Sequence, residues 1–163
     1  MKKLLLMRHA KSDWSADYQA DHERPLNERG VLSAQVIGRV LNEEDLTPDF
    51  IVASTAVRAR TTAELAAEAG GWDCEIRLDQ RLYNTGADGV VQVAGEAPPV
   101  NRLMMVGHQP TWSILVSVLT GDRAELKTAT VAIIEFEVDE WAEIASTRGK
   151  LRRVIFARDY MDD

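Results

Sequence analysis

Short apolar runs alternate along the chain with longer segments in which apolar residues recur at helical spacing. The runs are typical of buried strands, and they cover residues 3–7, 50–53, 74–77, 102–106, 131–138 and 151–157. This alternation predicts the α/β class, as a three-layer α/β/α sandwich with a mostly parallel central sheet. The last two runs are expected to pair antiparallel at an edge of the sheet.

Four segments predict helices, at residues 27–44, 56–69, 87–95 and 110–119. Asn27 is the expected cap of the first helix, because its side chain can accept from a free N–H group of the first turn. The second helix has a face of small residues suited to close packing: Ala59, Ala63, Ala66 and Ala67. No linker or repeat divides the 163 residues, so one domain over residues 1–163 is expected.

Two histidines follow apolar runs that predict buried strands. Arg8 and His9 come directly after the first run, and His108 comes after the fourth, just before Pro110. Charged groups at the end of a buried strand are costly unless something binds there. Ligands of open α/β sheets bind at the carboxyl ends of the strands. Two such histidines with arginines nearby suggest a site for phosphate chemistry.

A further arginine lies where the second strand leads into the second helix. A helix N-terminus favours anions, so a cation in the first turn, Arg58, is easier to explain if it meets an anion. Arg60 is the arginine expected to be solvated. Each residue alone keeps a second interpretation: His9 as a metal ligand or structural residue, Arg58 as a solvated side chain, and His108 as a helix cap.

The amino-acid composition argues against several classes of function. The net charge is −7, which argues against nonspecific binding to nucleic acid or to an anionic membrane. Cys74 is the one cysteine, so no internal disulfide can form, which suits the cytoplasm, the expected location. Besides His9 and His108 the chain has only His22, and metal-ligand spacings are absent. Neither a metal nor another cofactor is therefore expected. The sequence contains neither heptads nor a long edge strand that would indicate an obligate oligomer, so a monomer is expected.

Other phosphate chemistries lack their motifs. The sequence has no Gly-x-x-x-x-Gly-Lys-Ser/Thr loop and no Gly-x-Ser-x-Gly elbow. A cysteine phosphatase needs an arginine six residues after its cysteine, and Gln80 occupies that position. No Asp-x-Asp nucleophile pair appears either.

Taken together, four segments resemble the histidine phosphatase superfamily, which includes the phosphoglycerate mutases. Residues 7–14 match its Arg-His signature, and Ala-Lys-Ser after the histidine is closest to the small SixA-type phosphohistidine phosphatases. Residues 24–30 resemble the second block, residues 54–63 the block of the second arginine, and residues 106–110 the block of the second histidine. The matches run in order from residue 3 to about residue 119.

The resemblance implies roles for individual residues. His9 would be the nucleophile that becomes phosphorylated, with Arg8, Arg58 and His108 around the phosphoryl group. The expected substrate-binding residues are Lys11, Ser12 and Ser15. Neighbouring arginines favour the neutral imidazole that a nucleophile must be. Water would then hydrolyse the covalent intermediate, with no metal required.

The chain departs from the larger members of the family. Ala10 replaces their glycine, and Ser15 stands where many carry asparagine. Mutases protonate the leaving group with a carboxylic acid, but residues 81–88 contain no glutamate, and Asp88 is only a possible substitute. The length also leaves little room for the insertions that cap the mutase site.

These features predict a metal-independent phosphatase that acts on phosphohistidine in a protein. Three alternatives stay open at this point: a phosphomonoesterase for small molecules in the same superfamily, a phosphate-binding module without turnover, and an adaptor protein. The partner is accordingly a phosphorylated protein or a small phosphorylated substrate.

Overall fold

The computed structural model describes residues 1–162 and is built on one six-stranded sheet. The strands are β1 (Lys2–Arg8), β2 (Phe50–Ala53), β3 (Glu75–Leu78), β4 (Arg102–Gly107), β5 (Thr130–Phe136) and β6 (Lys150–Phe156). Their order is β3-β2-β4-β1-β5-β6. The first four strands in this order are mutually parallel, and β5 runs antiparallel to both β1 and β6. The predicted sheet and its antiparallel edge are confirmed.

The helices flank this sheet. They are α1 (Glu28–Glu43), α2 (Val57–Gly70), α3 (Arg81–Asn84), α4 (Ala87–Gly95) and α5 (Thr111–Thr120), with 3-10 turns at Asp21–Glu23, Trp141–Ala145 and Ala157–Tyr160. Asn27 caps α1 as predicted, since its side chain accepts from the N–H of Gly30. The short helix α3 and the three 3-10 turns were not predicted.

One predicted boundary is wrong by two residues. The fifth strand was expected to run to residue 138, but β5 ends at Phe136. The chain leaves the sheet because Glu140 and Glu143 form a reciprocal capping box that starts the 3-10 turn Trp141–Ala145.

Alternating side chains of the strands build two separate cores. In β1, Leu4 and Leu6 pack in a cluster with residues of α4 and α5, whereas Leu5 and Met7 pack in a cluster with residues of α1 and α2. All four side chains are buried. Because consecutive side chains of a strand point to opposite faces, this apolar run places one helical layer on each side of the sheet.

Helices α1 and α2 approach each other unusually closely. A Cβ built on Gly38 would lie 2.0 Å from the carbonyl oxygen of Ala66, and one on Gly70 would lie 2.3 Å from the carbonyl oxygen of Gly38. The small-residue face predicted for α2 is therefore a contact between two backbones.

Within residues 1–162, no helix has the length and apolar character needed to cross a membrane.

Candidate active site

The register of the sheet places the two strand-end histidines side by side. Arg8 of β1 lies opposite Gly107 of the parallel neighbour β4, so His9 and His108 are the next residues on adjacent strands. The backbone N–H of His9 donates to the carbonyl of Gly107 over 3.0 Å. The centroids of the two imidazole rings are 5.2 Å apart.

Strand β2 brings the third element of the site from the other side of β4. Ala53 pairs with Val106, and the next residue, Ser54, has its hydroxyl 2.8 Å from Nε2 of His108. Helix α2 begins a few residues later, and no side chain caps its N-terminus. Arg58 therefore lies in the first turn of a helix whose N-terminal N–H groups no side chain caps.

A cavity of about 390 Å³ opens where these strands end. Its lining side chains are Arg8, His9, Lys11, Ser12, Trp14, Arg24, Arg58, His108, Gln109 and Thr128. Six residues selected from the sequence thus meet in one place. None of the cavity's side chains, within the part of the chain that the structure describes, is acidic.

Two other residues discussed from the sequence lie elsewhere. Ser15 is not in the lining, and both its N–H and its hydroxyl donate to the carboxylate of Asp13. Its role in substrate binding stays a prediction. Asp88 lines a different cavity, of about 700 Å³, together with residues of α4 and α5. Neither residue contacts the strand-end histidines in this arrangement.

The imidazole of His9 is held with one nitrogen free. Nδ1 lies 2.7 Å from the carbonyl oxygen of Ala10, and because a carbonyl can only accept, Nδ1 carries the proton. Nε2 therefore carries the lone pair. The pKa of His9 is lowered to about 3, mainly by burial and also by His108, Arg58 and Arg8, while the hydrogen bond to Ala10 opposes the shift. A neutral ring with a free Nε2 lone pair is the form in which histidine acts as a nucleophile.

His108 is neutral for the same main reason. The pKa of His108 is lowered to about 4, mainly by burial and then by the charge of Arg58, while Asp21 opposes the shift. Both histidines are consequently uncharged near pH 7. The positive charge of the site comes from its arginines and Lys11.

Three residues that line the cavity each have a buried side-chain nitrogen without a hydrogen-bond partner among residues 1–162. These nitrogens are Nε of Arg8, Nε of Arg58 and Nδ1 of His108. Buried polar nitrogens are nearly always paired in folded proteins, so three in one place indicate a site built to receive acceptor atoms. Oxygens of a phosphoryl group are acceptors with the charge that the arginines favour.

Asp21 and Arg24 belong to the site and were not selected from the sequence. The Asp21 carboxylate accepts from Nη2 of Arg58 over 2.9 Å and also pairs with Arg24, while its backbone carbonyl accepts from Nη1 of Arg58 over 2.8 Å. Both arginines are buried. Partial burial on its own would raise the pKa of Asp21, but hydrogen bonds from Arg58 and Tyr83 together with the two guanidinium charges hold that pKa below its usual value. An ionised Asp21 thus fixes both arginines beside the cavity.

Aromatic rings surround the same loop. Tyr83 donates to Asp21 over 3.0 Å and packs edge-on against the rings of both His22 and His108. On the other side, the guanidinium of Arg24 lies 3.5 Å from the centroid of Trp14, which is 71% exposed. Trp14 is therefore a solvent-facing aromatic at the rim of the cavity.

Among residues 1–162, no three His, Cys, Asp or Glu side chains are grouped as metal ligands would be.

Comparison with known proteins agrees with this geometry. A model of the histidine phosphatase superfamily (branch 1) matches residues 4–87, just over half of the chain. An uncharacterized protein of Mycobacterium tuberculosis (strain ATCC 25618 / H37Rv) is 39% identical over 114 residues, which cover 69% of this chain and 69% of that protein. An uncharacterized chloroplastic protein of Arabidopsis thaliana is 28% identical over 160 residues, which cover 91% of this chain and 72% of the relative. The chain belongs to the histidine phosphatase superfamily.

Two solved structures of SixA proteins are similar to this chain over nearly its whole length. SixA of Nakamurella multipartitia superimposes with a TM-score of 0.83 at 27% identity, covering 95% of each chain. SixA of Agrobacterium tumefaciens gives a TM-score of 0.81 at 25% identity, covering 95% of this chain and 97% of that one. Within the superfamily the protein is of the SixA type, and it is a phosphatase that acts on a phosphorylated substrate.

Proposed function

We propose that this phosphatase removes phosphate from phosphohistidine in a protein, through a phosphorylated His9 and without a metal. The observation that carries the proposal is that Arg8, Arg58 and His108, each with an unpartnered buried nitrogen, line one cavity together with His9, whose Nε2 is free. Phosphoryl transfer depends mainly on positioning and on charge stabilisation. Here arginine side chains provide the positive charge that Mg²⁺ provides in kinases and GTPases.

The chemistry takes two steps. Nε2 of His9 attacks phosphorus and forms the new N–P bond, while the N–P bond to the substrate imidazole breaks and that ring departs with a proton from solvent. Water then attacks phosphorus, the bond to His9 breaks with its electron pair returning to Nε2, and hydrogen phosphate leaves while the other proton of the water goes to solvent. During both steps Arg8, Arg58 and His108 donate to the equatorial oxygens, which carry the charge of the transition state.

The state of the carboxylates supports phosphohistidine over an alkyl ester. An ester expels an alkoxide, which needs an acid, and general acids contribute about 10²–10⁴-fold. Asp21 is the carboxylate bound to the arginines of the site, and its lowered pKa keeps it ionised, so it is a poor proton donor. A departing imidazole needs less help, since its free nitrogen takes a proton near neutral pH.

The rim of the cavity supports a protein substrate. Trp14 is exposed beside the opening and is stacked on Arg24, so its ring is already positioned before a partner arrives. Exposed aromatic residues are enriched where proteins bind one another. A side chain reaching out of a folded protein could pass this rim and meet His9.

A matched pair of peptides tests the substrate. One peptide carries phosphohistidine and the other carries phosphoserine at the same position, and both are assayed for phosphate release. We expect kcat/KM for the phosphohistidine peptide to be at least about a hundredfold higher. Equal values would favour a phosphomonoesterase with a working acid, and no turnover of either peptide or of an aryl phosphate would favour a binding module.

A labelling experiment tests the nucleophile. Rapid denaturing quench of the reaction should trap acid-labile, base-stable phosphate on His9, and H9A should trap none and lose several orders of magnitude in turnover. H108N is the matched control, because it removes the neighbouring imidazole but should still accept label on His9. Turnover should survive exhaustive chelation. Label on another residue, or a requirement for added divalent metal, would contradict this mechanism.

A further inference from the structure

The two ring nitrogens of His108 have different surroundings. Nε2 lies 2.8 Å from the hydroxyl of Ser54, whereas Nδ1 is buried and has no hydrogen-bond partner among residues 1–162. Tyr83 packs edge-on against the same ring, but its own hydroxyl donates to Asp21. Within the described part of the chain, Ser54 is therefore the one residue whose side chain is hydrogen-bonded to the ring of His108.

Ser54 is itself held in a fixed position. It is fully buried, between the end of β2 and the start of α2. Its backbone N–H donates to the carbonyl of Val106 over 3.0 Å, and its hydroxyl oxygen accepts from the N–H of Ala56 over 3.2 Å. These contacts place the hydroxyl group before any ligand binds.

The hydroxyl of Ser54 is the donor in its contact with His108. The N–H of Ala56 can only donate, so it gives the O–H of Ser54 no acceptor. Among residues 1–162, Nε2 of His108 is the one acceptor that this O–H can reach. If Nε2 carried a proton instead, the O–H would be buried without a partner, which is costly.

The proton of the His108 ring is consequently on Nδ1. The ring is neutral near pH 7, since its pKa is lowered to about 4, mainly by burial, and it then carries one proton. Because Nε2 accepts from Ser54, that proton is on the other nitrogen. His108 lines the catalytic cavity, and Nδ1 is the ring nitrogen that residues 1–162 leave free for a ligand. With the opposite tautomer, Nδ1 would carry a lone pair, which repels the oxygens of a phosphoryl group.

We infer that Ser54 is a positioning residue for phosphoryl transfer: its hydroxyl keeps the proton of His108 on Nδ1, from which the ring donates to a phosphoryl oxygen. The inference rests on the proposed function for the phosphoryl group at His9. The tautomer itself rests only on the contacts of Ser54 and is the same for a phosphohistidine and for a phosphate ester. Ser54 does not line the catalytic cavity, so it acts through His108 and not on the substrate.

Nitrogen NMR of the protein without a ligand tests the tautomer. The chain has three histidines, so ring-labelled histidine gives three sets of signals, and H108N identifies the set of His108 by its absence. Above pH 7, in buffer free of phosphate, the wild type should have the His108 proton on Nδ1. S54A should have a larger population with the proton on Nε2, because the donor to Nε2 is gone. A wild-type proton on Nε2, or an unchanged tautomer in S54A, would overturn the inference.

A double-mutant cycle tests whether Ser54 acts through His108. The dissociation constant of orthophosphate is measured by titration against the ring signals of His9, which requires no turnover. S54A should raise this constant about fivefold in the wild type, as expected for one hydrogen bond. In the H108A background the same substitution should change it by less than about twofold, because the ring that Ser54 orients is absent. Equal losses in the two backgrounds would mean that Ser54 has a merely structural role.

S33A is the matched control, because it removes another buried serine hydroxyl, which donates to the carbonyl of Gly30 in α1 over 3.0 Å. It should leave the His108 tautomer unchanged and the orthophosphate constant within about twofold. A loss as large as that of S54A would contradict a specific role of Ser54. If S54A did not fold, the tautomer of the wild type would still decide. If no phosphohistidine peptide is hydrolysed, the proposed function fails, while the NMR signals and the orthophosphate constants still decide on Ser54.

Discussion

Arg58 and Arg60 lie two residues apart in α2 and have opposite surroundings. Arg58 is buried against Asp21 with its Nε unpartnered, whereas Arg60 is partly exposed and lies 3.8 Å from Glu64 on the helix surface. One charged donor to a transition state is worth about 3 kcal/mol, so R58A should lower kcat/KM about a hundredfold. R60A should stay within about twofold, because exposed pairs contribute little. Steady-state kinetics of the two variants check this, and equal losses would mean that the phosphate binds elsewhere.

Asp21 permits a second comparison at the scale of single residues. D21A removes two charge-assisted contacts that fix Arg24 and Arg58, and we expect kcat/KM to fall about tenfold or more. Y83F removes one hydroxyl from the same carboxylate and keeps both arginine contacts, so about twofold is expected. Steady-state kinetics decide between them. If Y83F were as damaging as D21A, the hydroxyl of Tyr83 would have a direct part in the reaction.

Residues at strand ends could be predicted, and residues on loops could not. His9 and His108 each follow an apolar run, and that pattern alone places them at one edge of a parallel sheet. Asp21 reaches Arg58 across 37 residues and Tyr83 across 62. No periodicity encodes such contacts, because they depend on how the loop after β1 folds over the site. The only available signal for Arg24 was its place in the second block of the family resemblance.

At the scale of elements, the contact between α1 and α2 makes a definite prediction. Replacing a helical glycine by alanine normally stabilises a helix by about 1 kcal/mol. At Gly38 the new Cβ would lie 2.0 Å from the carbonyl oxygen of Ala66, which is backbone and cannot rotate away. Overpacking then outweighs propensity, and we expect G38A to lower the free energy of unfolding by about 1–3 kcal/mol.

The control is a glycine in another helix with room around it. At Gly95, the last residue of α4, an added methyl group would have its nearest neighbouring atom 3.4 Å away, on Ala142. G95A should therefore change the free energy of unfolding by less than about 1 kcal/mol in either direction. Urea titrations of both variants provide the measurement. A neutral or stabilising G38A would show that the two helices can separate at little cost.

The helices and strands could be predicted where the spacing of apolar residues matches the face that packs in the core. Helices α1 and α2 and the strands β1, β2 and β4 were predicted to within two residues, because each has one strongly apolar pattern. Helix α3 is four residues long and carries no period that a pattern could reveal. The 3-10 turn Trp141–Ala145 is specified by its capping box, which lies in the short segment between the last two predicted strands.

At the scale of the whole molecule, both faces of the sheet are covered by buried clusters that share the same strands. A core divided in this way can be lost only as a unit, since unfolding either helical layer would expose one face of every strand. The expectation of one domain over residues 1–163 therefore remains a proposal that one cooperative transition would support. Binding of phosphate should raise the midpoint of that transition, because only the folded site holds the anion.

The neutral histidines of the site make stability depend on pH in a defined direction. Burial lowers the pKa of His9 to about 3 and that of His108 to about 4, both from the ordinary value of 6.5. The unfolded chain thus takes up protons below pH 6.5 that the folded protein refuses. The stabilisation is fully present above pH 6.5 and is lost as pH falls toward 4, by up to about 1.4 kcal/mol per pH unit for each histidine.

H108N isolates one of these contributions. Between pH 6 and pH 4.5, the free energy of unfolding should fall less steeply in the variant than in the wild type, by about 1.4 kcal/mol per pH unit. Above pH 7 the difference between the two proteins should no longer change with pH, since neither state then binds the proton. Denaturant titrations across this range, in buffers free of phosphate and sulfate, provide the measurement. A difference that stays constant from pH 7 down to pH 4.5 would show that His108 is protonated as easily in the folded site as in the unfolded chain.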